Sequence, residues 1–437
     1  MAQGGGILEK QNICTYVENN LDTFAERPLC APDSLVLSWF SNFRLEALGG
    51  QFDGWDITSA AAPRLRDALR AECFDGLFDL WDPESCRRLL QAMAASPRFR
   101  DIRVGGFRLR RDTTDPEWPK QFAAVTLLLD DGTAYLAFRG TDATFDGWRE
   151  DFNMTFARPV PAQAEAFLYL LDAAEACPGA PLVLGGHSKG GNLAVYAAAE
   201  APAEIRERVS RVYSHDGPGF DAEFLASEGY CAIAGRVDKT LPQSSVVGMM
   251  LENQEDYSVV RSTSVGIFQH DPFSWVVDGC SFVEVEGLSA GARHVDAALN
   301  DWICGRTPAE RDRFTSELFG LLGATNATTM AEARERWRTS LPAMAAHLAD
   351  MDPETRRFML KTVGALVRDL LPGSESGSDE DSAPADAGED GTETDEAESL
   401  GSRILALLPA SLSDTEKGEG AATAPSASEN AAEKNEA

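Results

Sequence analysis

The segment from Pro181 to Ala201 constrains this chain more than any other. PLVLGG, a short apolar run closed by glycines, leads through HSKGG into NLAVYAAAEA, a helical stretch dominated by small residues. The first reads as a buried strand and the last as a helix that can pack closely. At their junction Gly186-His187-Ser188-Lys189-Gly190 fits G-x-S-x-G. A serine on so sharp a turn needs a strained backbone, and flanking glycines remove the side chains that would clash there. Its hydroxyl would stand at the carboxyl edge of a sheet, over a helix N-terminus whose amides favour developing negative charge. Ser188 is thus the candidate nucleophile. The competing reading, a glycine-rich turn that happens to hold a serine, is disfavoured by the order strand, turn, helix.

A serine hydroxyl needs a base, and the chain has five histidines. The elbow motif carries the order nucleophile, acid, histidine, which places the base downstream. His270, in GIFQHDPFSW, lies in a loop-like segment between extended stretches and is the favoured base. His215 follows a strand but sits close to Ser188 in sequence, and His294 and His347 fall in helical patterns. For the acid, Asp216 in SHDGPGF directly follows a strand and would emerge at the same sheet edge as Ser188. Asp238 in RVDKTLP is its rival, and Asp271 adjoins the proposed base but would point away from its ring. The backbone amide of Lys189 is one expected oxyanion donor. Thr141, in the strand-ending segment Phe138-Arg139-Gly140-Thr141-Asp142, is the expected second, through its amide and hydroxyl.

Around this junction, FAAVTLLLD (122–130), an Asp131-Gly132 turn and TAYLAFRG (133–140) read as two neighbouring strands. VSRVYS (209–214) reads as another, and Val246–Leu251 as a further extended stretch. Helical periodicity marks Asn12–Asn19, Pro32–Leu48, Ala162–Ala176, and, after about 291, His294–Ile303, Pro308–Leu322, Met330–Ala349 and Pro353–Leu371. Strands alternating with helices imply an α/β fold with a mostly parallel sheet covered on both faces. The expected organisation is a helical leader over 1–100, an α/β core over 101–290, a helical extension over 291–371 and a disordered acidic tail over 372–437. That tail has no aromatic residue and a large excess of acids, so it cannot bury enough surface to offset its ordering entropy.

A net charge of −31 argues against binding nucleic acid or anionic lipid. No apolar stretch is long enough to span a membrane, and the N-terminus lacks the basic start and apolar run of a secretory signal, so a cytoplasmic location is expected. The eight cysteines show no metal-type spacing, and neither metal nor organic cofactor is expected.

FRGTD followed by DGWREDFNM and then LGGHSKGGNLAVYAA resembles the FRGT-to-GHSLGG layout of class 3 lipases. More specifically it resembles a bacterial α/β-hydrolase subgroup of unassigned substrate related to those lipases. The resemblance runs over roughly residues 10–280, through NICTYVENNLDTFAERPLCAPDSLVLSWFS, QFAAVTLLL, VYSHDGPGF, LPQSSVVGMML and GIFQHDPFSW. It implies an α/β-hydrolase fold, Ser188 as nucleophile, His270 as base, and Thr141 with Lys189 as oxyanion hole. Two departures stand out. Lys189 replaces the leucine usual in those lipases, and Asp238 matches their D-x-V-P-x-L-P segment only loosely. Lys189 is expected to be solvated beside the elbow or to draw in an anionic substrate. Val246, Val247, Met249, Met250 and Leu251, with Phe268, Phe273 and Trp275, are expected to line an acyl pocket or to be core. The function expected is a serine hydrolase acting on a carboxylic, lipid-like ester through an acyl-enzyme. The alternatives are a non-catalytic binding module whose tail recruits an unknown protein, and an acyltransferase using the same elbow.

Overall fold

Seven strands form one sheet in the order in which they occur along the chain. The computed structural model describes residues 11–289 and 307–323, apart from 81, 143, 246, 252–255 and 265, with scattered positions between 342 and 357. Strand β1 (Arg103–Asp112) pairs antiparallel with β2 (Lys120–Leu128), and β2 antiparallel with β3 (Ala134–Phe138). From β3 onward pairing is parallel through β4 (Leu182–His187), β5 (Val209–His215), β6 (Val237–Pro242) and β7 (Tyr257–Val260). This mostly parallel, helix-covered sheet is the α/β-hydrolase arrangement. A two-strand hairpin, β8 (Val277–Asp278) and β9 (Ser281–Phe282), stands apart from it.

The sequential order decides where the helices go. Each parallel crossover is right-handed, so stepping always in one direction leaves every crossover helix on the same face. There α5 (Pro161–Ala176), α6 (Lys189–Glu200) and α7 (Glu228–Ile233) share one core with the inward side chains of β2 to β5, among them Phe138, Leu184 and Val212. The other face would be bare. It is covered by the leader helices α1 (Ile13–Asn19), α2 (Ala31–Phe40) and α3 (Pro83–Ala95), which form a second core with Val125, Tyr135, Val183 and Tyr213. Their starts are encoded locally: the Asn12 carboxamide accepts the Cys14 and Thr15 amides, and the Asp82 carboxylate accepts that of Ser85. Strand β3 is buried along its whole length, as a central strand covered on both sides must be.

Two further helices complete the described architecture. Helix α4 (Phe145–Asn153) follows the loop after β3, and α8 (Pro308–Gly323) packs on it through Phe319 against Phe145 and Phe152. The expected helix over 308–322 is therefore present, whereas those over 294–303 and 330–349 and most of 353–371, with the acidic tail, lie outside the described residues. The chain divides into two units, Met1–Arg338 and Thr339–Ala437, and every strand and helix named here belongs to the first. Among the described residues no helix is long and apolar enough to cross a membrane.

Two expected elements differ from what forms. The run 32–48 breaks after Phe40 into a turn and a short 3₁₀ segment, Leu45–Leu48. The stretch 246–251 is not extended: its described part, Val247–Leu251, is a turn with Leu251 at φ 66°. The strand of that region is β6, just upstream.

Candidate active site

Strand β4 ends at His187, and the chain reverses at Ser188 with φ 58° and ψ −133° before entering α6. The turn tolerates no side chain on either flank. A Cβ on Gly186 would lie 2.1 Å from the Gly190 carbonyl carbon, and one on Gly190 would lie 2.1 Å from the Phe138 carbonyl oxygen. The Ser188 amide donates to the His215 carbonyl at 2.9 Å, fixing the elbow to β5. Strain of this kind persists only where surrounding structure over-determines it. The Ser188 residue is 8% exposed, at the carboxyl edge of the sheet.

Asp216 leaves β5 at the same edge, also with positive φ (50°), its amide held by the Thr240 carbonyl. It is fully buried. One carboxylate oxygen accepts the Ser245 hydroxyl and the Gly248 amide, and the other lies 2.6 Å from His270 Nδ1. That contact uses Nδ1–H as donor and leaves Nε2 as the ring's free acceptor. The loop carrying His270 is pinned from both sides: the Trp275 indole donates to the Gln269 carbonyl, and the Ser244 amide to the Gln269 side chain. The imidazole itself lies against His187, ring centroids 4.5 Å apart, while His187 Nε2 donates to the His270 carbonyl at 2.8 Å. Burial holds His187 well below the ordinary histidine range, so it is a neutral platform beneath His270. Asp271 caps the following turn through the Phe273 amide instead of facing the ring.

The loop after β3 lies beside the serine: a Cβ on Gly140 would come 3.4 Å from Ser188 Cβ and 2.8 Å from the His187 carbonyl oxygen. Leader residues hold this loop. Arg139 donates to the carbonyls of Ser41 and Phe43 and pairs with Glu46, and the Gly140 amide donates to Asn42 Oδ1. The Thr141 hydroxyl is committed to Asp151 Oδ2 on α4. The Thr141 amide donates to no acceptor among the described residues, and the Lys189 amide, first in α6, has no partner within its helix.

Lys189 departs from expectation. Its side chain is fully buried, with Nζ bonded to Gln121 O (3.0 Å), Gln121 Oε1 (2.9 Å) and Glu150 Oε2 (3.1 Å). It is neither solvated nor available to an anionic substrate. Glu150 in turn accepts the Gln121 and Ala162 amides, so every donor and acceptor of the pair is used. Beside it Asp151 Oδ1 has no hydrogen bond among the described residues and lies 3.8 Å from the ammonium. Burial pushes the Asp151 carboxyl up to about 6, against the pull of Lys189 and Thr141.

The other candidates fall elsewhere. Asp238 sits near the start of β6, opposite Tyr213 and two residues before Thr240, and its ion-pair partner is Arg211 at 4.0 Å, not His270. His215 is buried, with Nε2 3.0 Å from Ser34 Oγ, and burial alone pushes it down to about 3. His294 lies outside the described residues. Of the expected acyl-pocket residues, Trp275 and Phe273 are core, while Phe268 is 41% exposed and Met249 and Met250 are half-buried. Among the described residues no group of histidine, cysteine and acidic side chains is arranged to hold a metal ion. Sequence reasoning passed over Asn42, Glu150, Asp151, Gln121 and His187. Adjacent acids in the short helix DGWREDFN were the visible signal for two of these.

Among solved structures, the chain is similar to native Rhizomucor miehei lipase in its propeptide complex (18% identity, 46% of this chain and 72% of the other, TM-score 0.28). A deletion mutant of the same lipase in its propeptide complex gives 14% identity over 56% and 79% with TM-score 0.32, and M37 lipase 13% over 59% and 79% with TM-score 0.27. No match is found among curated proteins. The profile of the Mbeg1-like family matches residues 93–320, just over half of the chain and nearly all of the described sheet domain. The chain belongs to the Mbeg1-like family, which is lipase-like.

Proposed function

We propose that the protein is a serine hydrolase that cleaves a carboxylic, lipid-like ester through an acyl-enzyme on Ser188. The observation that carries this reading is the coincidence at one sheet edge of a strained serine, a histidine hydrogen-bonded to a buried carboxylate at 2.6 Å, and two uncommitted amides. His270 Nε2 takes the Ser188 proton as Oγ attacks the ester carbonyl. Asp216 fixes the tautomer and stabilises the imidazolium. The amides of Thr141 and Lys189 hold the oxyanion, a contribution of about 10²-fold or more in turnover per donor. His270 then returns the proton to the departing alcohol, and water repeats the sequence on the acyl-enzyme. In the resting structure Ser188 Oγ makes no hydrogen bond among the described residues, consistent with contacts that tighten only around substrate. Phe268, 41% exposed two residues before His270, and half-buried Met250, two residues after the Gly248 that contacts Asp216, are apolar side chains on the segments of the site, which supports an acyl chain as the group recognised.

The test is turnover of p-nitrophenyl esters of graded chain length by the full chain. The expected result is hydrolysis that falls by about 10⁴-fold or more in Ser188→Ala and His270→Ala while the circular dichroism spectrum is unchanged. Added alcohols distinguish hydrolysis from acyl transfer by product. Hydrolysis that survives Ser188→Ala sinks the proposal.

A further inference from the structure

Away from the serine, two cysteines from distant parts of the chain meet at one arginine. Cys30 is the N-cap residue of α2, and Cys280 is at the tip of the β8–β9 hairpin, after Gly279 at φ 58°. Arg27 Nη1 lies 2.7 Å from Cys280 Sγ and 3.6 Å from Cys30 Sγ, so the sulfurs can be no further apart than those two contacts laid end to end. Helix α2, which Cys30 caps, packs beside β9, which follows Cys280. Cys280 is exposed and Cys30 half-buried. Of the other described cysteines, Cys14, Cys86 and Cys177 are buried, Cys73 is half-buried in the short 3₁₀ turn Ala71–Cys73, and Cys231 is exposed on α7 with its thiol on the Leu225 carbonyl.

We propose that Cys30 and Cys280 are a site of reversible oxidation, closing to a disulfide that clips the leader to the hairpin following the His270 loop. The chemistry balances with a peroxide as oxidant. The Cys280 thiol attacks one peroxide oxygen, the O–O bond breaks, and the thiol proton leaves with the departing oxygen, so that a sulfenic acid and water result. Cys30 then attacks the Cys280 sulfur, expelling the sulfenic oxygen as water, and the peroxide has been reduced by two electrons. The roles follow from the surroundings. Cys280 is reachable by oxidant, and the Arg27 guanidinium at its sulfur is placed to stabilise the negative charge that builds on the departing peroxide oxygen during attack. Cys30 is sheltered, and burial pushes its thiol up to about 12, so it resolves the reaction and does not start it. Its thiol already donates to Asp33 Oδ2 at 3.1 Å, which is placed to draw off the proton as the sulfur attacks. Closure needs the exposed hairpin tip to turn its cysteine past Arg27, a rotamer change at a two-residue turn.

The link would join elements that already hold the site. The leader meets the His270-bearing segment where the Val277 amide donates to the Gln11 carbonyl and Asn12 to the Phe273 carbonyl. A disulfide closing so long a loop restricts the unfolded chain strongly, so oxidation raises the melting temperature.

The experiment treats the folded full chain with hydrogen peroxide, blocks remaining thiols under denaturing conditions and maps peptides by mass spectrometry, with and without reductant. The expected result is a Cys30–Cys280 cross-linked peptide that reductant removes, a rise of several degrees in Tm, and neither in Cys280→Ser, whose exposed position spares the fold. Cys30→Ser should leave Cys280 as a sulfenic acid that dimedone traps. The proposal is overturned if Cys280 oxidises while Cys30 remains fully alkylatable, or if Cys280 pairs only with Cys280 of a second chain. Neither outcome bears on esterase activity, so this site stands or falls apart from the proposed hydrolysis.

Discussion

Asp216 and Asp238 sit on neighbouring strands, yet their surroundings separate them. Asp216 follows the carboxyl end of β5 and is held by the Ser245 hydroxyl, the Gly248 amide and His270, whereas Asp238 enters β6 beside Arg211. In Asp216→Asn the carboxamide no longer selects the tautomer with Nε2 free, and kcat for ester hydrolysis should fall by about 10⁴-fold. Asp238→Asn should leave it unchanged, and the reverse pattern would show the acid to be misassigned. Ser188, His270 and Asp216 were legible because chain order and strand ends restrict the choice to a few side chains. Lys189 was not. Its partner Glu150 lies 39 residues earlier, and nothing local to HSKGG reveals that a cavity lined by Gln121 and Glu150 awaits the ammonium. Asn42, 98 residues from the Gly140 amide that it accepts, was hidden for the same reason.

Elements were legible where their own periodicity or caps decide them and illegible where packing does. The apolar run 246–251 has the composition of a strand, but Gly248 presses so close to Asp216 that a Cβ there would lie 2.3 Å from the carboxylate, and Leu251 takes positive φ. Contact with the acid, and not β propensity, shapes that segment. The Lys189–Glu150 pair has a similar tertiary origin, joining α6 to α4 and, through Gln121, to β2. Lys189→Met leaves Glu150 buried and unpaired, and urea unfolding should show a loss of about 3–5 kcal/mol. Replacing Glu150 with Gln in the same chain should recover much of it, because the uncompensated charge is gone. An unchanged urea midpoint in Lys189→Met would mean that the ammonium contributes nothing to holding these elements together.

At the scale of the whole molecule, the sequential sheet explains why the leader matters. Crossover helices cover one face only, so α1, α2 and α3 supply the other core, and the segment just after α2 reaches the site through Asn42 and the Ser41 and Phe43 carbonyls. The family match begins at residue 93, within α3 and after α1 and α2, yet the loop beside Ser188 depends on the segment just after α2. An α/β architecture with two covered faces was legible from alternation alone. Which helices cover which face was not, because it follows from strand order, and strand order is set by long-range pairing that no local pattern encodes. All of these layers converge on the reactivity of one hydroxyl, and a fluorophosphonate reports it directly. Incubated with the folded full chain and mapped by mass spectrometry, it should add its phosphonyl group at Ser188 and nowhere else, with labelling abolished in Ser188→Ala and slowed in His270→Ala. Folded protein that takes up no label, or takes it up at another residue, would contradict the account.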